Sequence, residues 1–113
     1  NRIAQHKELN HLHFYNFDLD KEDLNIIHDL MPSDKVDIVF ILSICMWIKE
    51  WERLIEFIPT ISKTLLFEIN GSDDFKEKQL TKLKETFATV TEISNRSDDD
   101  PLVQTRQLYL CIN

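Results

Sequence analysis

Residues 36–45 read Val-Asp-Ile-Val-Phe-Ile-Leu-Ser-Ile-Cys, a nearly unbroken apolar and β-branched run. Ten residues are too few for a membrane span, which needs about 18–20. The enrichment in Ile and Val favours strand over helix. A strand without polar alternation is the kind buried on both faces, as parallel strands are in α/β proteins. Working outward, Trp47, Ile48, Trp51, Leu54, Ile55 and Ile58 recur at helical spacing, with Lys49, Glu50, Glu52, Arg53 and Glu56 between them. That pattern predicts an amphipathic helix closed by Pro59. Residues 63–69, Lys-Thr-Leu-Leu-Phe-Glu-Ile, predict a second buried strand, with Asn70-Gly71 as the turn after it.

The same reading extends to both ends. Residues 11–17 carry aromatic and β-tolerant types and read as a short strand. Asp20 resembles an N-cap, and Leu24, Ile27, Leu30 and Met31 predict a helix stopped by Pro32. Asp74 and Glu77 resemble a capping box ahead of Phe75, Leu80, Leu83 and Phe87. Residues 89–94 and 107–112 read as two final strands. No helix separates them, only an acidic loop over 95–101, so antiparallel pairing is expected. The sum is an α/β fold. It predicts a mostly parallel sheet with helices on both faces, closed by an antiparallel strand pair.

Composition bounds the function. The 113 residues fit a single domain, and 42% hydrophobic content suffices for a core. Net charge is −7, from 13 basic and 20 acidic residues, which disfavours non-specific nucleic-acid binding. Gly71 is the sole glycine, so neither phosphate-cradling loop pattern, GxGxxG or GxxxxGK, occurs. Cys45 and Cys111 lie in apolar runs without metal-clip spacing and read as buried, reduced thiols of a cytoplasmic protein. No apolar stretch is long enough for a membrane span, and no basic-then-apolar leader opens the chain. His11 and His13 could share one strand face, but nothing else in the sequence completes a metal-ligand pattern. Asp98 to Asp100 lack the Gly and Glu of a calcium loop. Arg106 is a candidate for an ion pair with Glu68, Glu92 or that acidic run.

Ligands of such sheets bind beyond the carboxyl ends of the strands. Three tips therefore matter: residues 18–20, 43–47 and 68–71. In order and spacing, five segments resemble the C-terminal two-thirds of a class I S-adenosylmethionine-dependent methyltransferase. NRIAQHKELNHLHF is similar to the helix leading to the family's third strand. HLHFYNFDLDKEDL is similar to that strand and its acidic turn. DKVDIVFILSICMWI resembles the fourth strand, SKTLLFEINGS the fifth, and TRQLYLCIN the seventh. The resemblance implies a methyltransferase-like three-layer sandwich and S-adenosyl-L-methionine as cofactor.

It also implies roles by residue. Asp18 would receive the exocyclic amine of adenine, an acceptor role that suits an ionised carboxylate, and would otherwise cap the following helix. The Leu19 backbone N–H would face the ring, and Phe17 would flank it. Ser43 and Ile44 would approach the sulfonium and amino group. Trp47, Glu68 and Asn70 would meet the methyl acceptor, whose identity the sequence does not give. Trp51 reads as core. The family's first strand, glycine-rich loop and the acidic residue after its second strand have no counterpart. The expectation is therefore a portion of a longer protein, inactive or weak alone, and a homo-oligomer through unpaired strand edges. The alternatives are a non-catalytic interaction module, such as a receiver-like or flavodoxin-like domain, and a degenerate methyltransferase-fold partner subunit. A receiver would need a Lys after its last strand, and none follows Cys111.

Overall fold

The computed structural model of this chain describes residues 13–94 and 107–113, and among them four strands form one sheet. In chain order the elements are α1 (Ile26–Leu30), β1 (Val39–Leu42), a 3-10 turn (Cys45–Trp47) and α2 (Trp51–Phe57), which runs on into a 3-10 turn (Ile58–Thr60). Then come β2 (Thr64–Glu68), α3 (Asp73–Thr86), β3 (Thr89–Ser94) and β4 (Leu108–Ile112). The sheet order is β1-β2-β4-β3. β1 and β2 are parallel, in register Phe40 to Leu66 and Ile41 to Phe67. β4 runs antiparallel to both neighbours, with Leu65 and Val90 each opposite Cys111.

The expected closing pair of antiparallel strands is present, but the sheet is mixed rather than mostly parallel. Two causes account for the difference. β4 inserts between β2 and β3 and separates two strands that would otherwise pair in parallel. The strand expected over residues 11–17 is not formed by its described part, residues 13–17. His13, Phe14, Tyr15 and Asn16 are all exposed, so this stretch has no face to bury. His11, Arg106, Asp98 to Asp100 and residues 1–10 lie outside the described residues.

Among the described residues, the helices cover one face of the sheet. Ile41, Leu65, Phe67 and Cys111 point to it and are buried with Leu54, Ile55, Phe57, Ile58, Leu83 and Phe87. The alternate residues of β1, Phe40 and Leu42, are exposed, and Leu66 and Leu110 are half-buried. The expectation that residues 36–45 and 63–69 are buried on both sides is thus corrected, and with it the expected methyltransferase-like three-layer sandwich, which the described residues do not show. The physical reason is handedness. Connections through α2 and α3 both step the chain across the sheet in one direction. Right-handed crossovers taken in one direction place their helices on one face. A second helical layer would need a parallel crossover in the opposite direction, and the one backward step, from β3 to β4, joins antiparallel strands instead.

Local chemistry sets where the helices begin. Ser72 caps α3 by accepting from the Phe75 N–H at 3.2 Å, with Asp73 and Asp74 in the first turn and Lys84 in the last. The cap is therefore Ser72 and not Asp74. The helix expected from Asp20 shrinks to Ile26–Leu30 because acidic side chains take up backbone donors first. Asp18 Oδ1 accepts from the Asp20 N–H at 2.9 Å and the Lys21 N–H at 3.1 Å, and Asp23 Oδ1 accepts from the Asn25 N–H at 2.9 Å. Such bonds stabilise turns in competition with helix. This segment still packs on the core through buried Leu24 and half-buried Phe17, Leu19, Ile27 and Met31.

Candidate functional site

The polar junction of the molecule lies where β1 and β2 end side by side. The ladder runs one step past β1, as the Ser43 N–H donates to the Glu68 carbonyl at 3.1 Å. Ser43 then turns the chain with φ of 57°, the only positive φ of a non-glycine among the described residues. A β-carbon makes that conformation costly, so the turn must be held by its contacts. Three are present. The Ser43 hydroxyl donates to Glu68 Oε1. Asn70 Nδ2 donates to the Ser43 carbonyl at 2.6 Å. Gln79 Nε2 of α3 donates to the Asn70 carbonyl at 2.6 Å and to the Phe75 carbonyl at 3.3 Å. One network therefore links the ends of both parallel strands to α3.

This network carries unsatisfied acceptors. Asn70 is 5% exposed and Gln79 fully buried, yet Asn70 Oδ1 and Gln79 Oε1 lack a hydrogen-bond partner among the described residues. Gln107, whose carbonyl accepts from the Ile69 N–H at 3.0 Å, likewise leaves its Oε1 unpaired. Buried acceptors without donors are costly, and they concentrate at this end of β2. Of the network's members, Glu68 and Asn70 follow from the sequence as strand-end polar residues. Gln79 and Gln107 do not. Gln79 stands on the inward face of α3 four residues before Leu83, where a polar residue breaks the apolar stripe, and that break is the signal that could have marked it.

Asp18 does not join this junction. It is exposed and caps its own turn, with its N–H donating to Glu22 Oε2 at 2.6 Å. The turn is anchored to the start of α2 instead. Asp20 Oδ1 accepts from the Glu50 N–H at 2.9 Å, so Asp20 serves that turn and not a helix of its own. Arg53 donates from its guanidinium to the Leu19 and Glu22 carbonyls. Because α2 starts after the carboxyl end of β1, these bonds hold residues 18–22 beside the segment that follows the β1 tip. Asn16, Phe17, Asp18, Lys21 and Glu22 line a wide, shallow hollow of about 690 Å³, to which no residue of 43–47 contributes.

The remaining site residues separate by burial. Trp47 stands 76% exposed in the 3-10 turn, outside the α2 stripe, because the helix starts only at Trp51. Ile44 and Met46 are exposed beside it. Trp51, expected in the core, is half-buried against it, edge-on to Phe75 with ring centroids 5.3 Å apart. Cys45 and Cys111 are free and buried, and burial pushes each thiol up to about 12. Neither supplies a thiolate nucleophile near neutral pH. His13 is exposed and stacks on Tyr15. A second hollow of about 600 Å³ lies between α2 and α3, lined by Glu52, Asp74, Glu77 and Lys78 among others. It contains none of the strand-end residues and is open to solvent. No helix of the described residues is long and apolar enough to cross a membrane.

Set against known proteins, the chain matches no family model, no curated protein and no solved structure.

Proposed function

We propose that the chain carries the adenine-facing and acceptor-facing part of an S-adenosylmethionine-dependent methyltransferase site. The observation that carries this reading is the sheet order. The segments that resemble the fourth and fifth strands of that family are parallel neighbours, and the segment that resembles its seventh runs antiparallel beside the fifth. Fold alone does not assign chemistry, so the reading rests also on the polar groups at the strand ends.

In this reading Phe17, Asp18 and Leu19 receive the adenine. The cap on Asp18 does not exhaust it, since an ionised carboxylate offers about four lone-pair sites. Ser43 and Ile44 lie against the sulfonium side, with the left-handed turn at Ser43 presenting backbone there. Trp47, Glu68 and Asn70 face the methyl acceptor. When bound, the cofactor supplies an activated methyl group on a positively charged sulfur. The residues of this chain contribute orientation and exclusion of water rather than a nucleophile. Two buried thiols suit a reducing, cytoplasmic setting.

The chain holds no glycine-rich loop for the methionine portion. Adenosine is therefore expected to account for nearly all the affinity. Ligand-observed NMR checks this. Adenosine and S-adenosylmethionine should bind within about threefold of each other, both near millimolar, and methionine should give no signal. Micromolar binding of S-adenosylmethionine by the isolated chain, or silence from adenosine, would contradict the proposal.

A further inference from the structure

Residues 44–49 connect β1 to α2 between two pinned ends. The near end is Ser43. Its N–H donates to the Glu68 carbonyl, its hydroxyl donates to the Glu68 carboxylate, and its carbonyl accepts from Asn70. The far end is Glu50, whose N–H donates to Asp20 Oδ1 at 2.9 Å. Little holds the segment down between them. Ile44, Met46, Trp47 and Lys49 are exposed and Ile48 is half-buried, so Cys45, 1% exposed, is its one buried side chain. The Trp47 N–H donates to the Ile44 carbonyl and the Ile48 N–H to the Cys45 carbonyl, so these bonds stay inside the segment. No side chain caps its 3-10 turn. Few buried apolar contacts and purely local backbone bonds mark a unit of low local stability.

From this geometry we infer that residues 44–49 form a flap, hinged at Ser43, that lifts and uncovers Cys45 while the sheet and the helices stay folded. The inference does not depend on the methyl-transfer reading, although Ser43, Ile44 and Trp47 figure in both. Two features of the closed arrangement favour lifting. Ser43 holds a φ of 57°, which is costly with a β-carbon, and a lifted flap releases it. Asn70 spends its amide nitrogen on the Ser43 carbonyl, while its own buried Oδ1 lacks a donor among the described residues. Lifting lets water reach that oxygen and satisfy it. What opposes lifting is the burial of one small thiol, the contacts of Ile48 and the side-chain bonds at Ser43. Ile44, Met46 and Trp47 already stand in solvent, so opening exposes little further apolar surface. Cys111 supplies a fixed reference within the same chain. It lies in β4 between β2 and β3, fully buried, and is reached only when the sheet comes apart.

Alkylation of the full 113-residue chain with N-ethylmaleimide near neutral pH, each cysteine followed by peptide mass spectrometry, tests the inference. Burial pushes both thiols up to about 12, so labelling reads the opened form and not the closed one. Cys45 should be labelled at least about tenfold faster than Cys111. Ser43→Ala keeps the β-carbon but removes the hydroxyl bond to the Glu68 carboxylate. It should speed Cys45 labelling at least about fivefold and leave Cys111 unchanged. Asp20→Ala frees the other end of the flap from an exposed position and should speed Cys45 labelling at least about threefold, again without moving Cys111. It serves as the second variant should Ser43→Ala lose its far-ultraviolet circular dichroism. Equal rates for the two cysteines, or a slower Cys45, overturn the inference. A ratio of rates that neither substitution changes, whether both rates rise together or neither moves, overturns it equally.

Discussion

Phe67→Ala is expected to destabilise the chain by about 3–5 kcal/mol, the range for truncating a fully buried aromatic. Phe67 is 0% exposed and sits in β2, between Ile41 of β1 and Tyr109 of β4. Its ring lies in the core with residues of α2 and α3, so truncation opens a cavity under the whole helical layer. Helices on one face make this worse. A three-layer protein shares its core between two faces, whereas here nearly all burial depends on one. Domains of this size hold about 5–15 kcal/mol in total, so the variant should lose a large share of it. Urea denaturation followed by circular dichroism gives the number. A loss below about 1 kcal/mol would mean that the face of Phe67 is not the core.

Gly71→Ala carries the second large effect, about 2–5 kcal/mol, from two additive causes. Gly71 has φ of 98°, a conformation that costs a residue with a β-carbon about 1–2 kcal/mol. A β-carbon there would also stand 2.7 Å from Cδ2 of Phe75. That ring cannot swing away freely, because its other side meets Trp51 edge-on. Forced repacking of this kind costs about 1–3 kcal/mol. The turn also sets Ser72 as the cap of α3 and places Asn70 against Ser43, so strain here reaches the polar junction. Thermal unfolding of Gly71→Ala beside Gly71→Asn separates the causes, since Asn tolerates positive φ but still crowds the ring. Equal stability of wild type and Gly71→Ala would show that the turn is not held as described.

What the sequence made legible depends on how locally each feature is determined. Residues 89–94 and the pairing of the last two strands follow from β-branched pattern and from strands adjacent in sequence with no helical pattern between them, and both appear where expected. Glu68 and Asn70 were visible because a polar residue at the end of an apolar strand needs partners. The contacts they found, Ser43 from β1 and Gln79 from α3, come from residues 25 and 9 positions away and have no local signature. Asp18 was visible as a carboxylate after an apolar stretch, and so was its capping role, but not its separation from Ser43. Asp20 and Arg53 tie that turn to the start of α2 rather than to the strand ends. The one-sided helical layer was hidden for a different reason. An apolar run records that a strand is unsuited to water, and it is silent on whether a helix, another sheet or nothing covers each face. The same run that predicts burial on both sides therefore leaves Phe40 in solvent here.

The central claim is that two turns, residues 17–19 and 43–44, form one nucleoside-binding rim although their side chains do not touch. An amide NMR titration of the isotope-labelled chain with adenosine tests it most directly. The account predicts that the amides of Phe17, Asp18, Leu19, Ser43 and Ile44 shift together along one binding curve, while those of α3 beyond Gln79 stay in place. Shifts confined to the hollow between α2 and α3, or two sets of shifts with different midpoints, would contradict it.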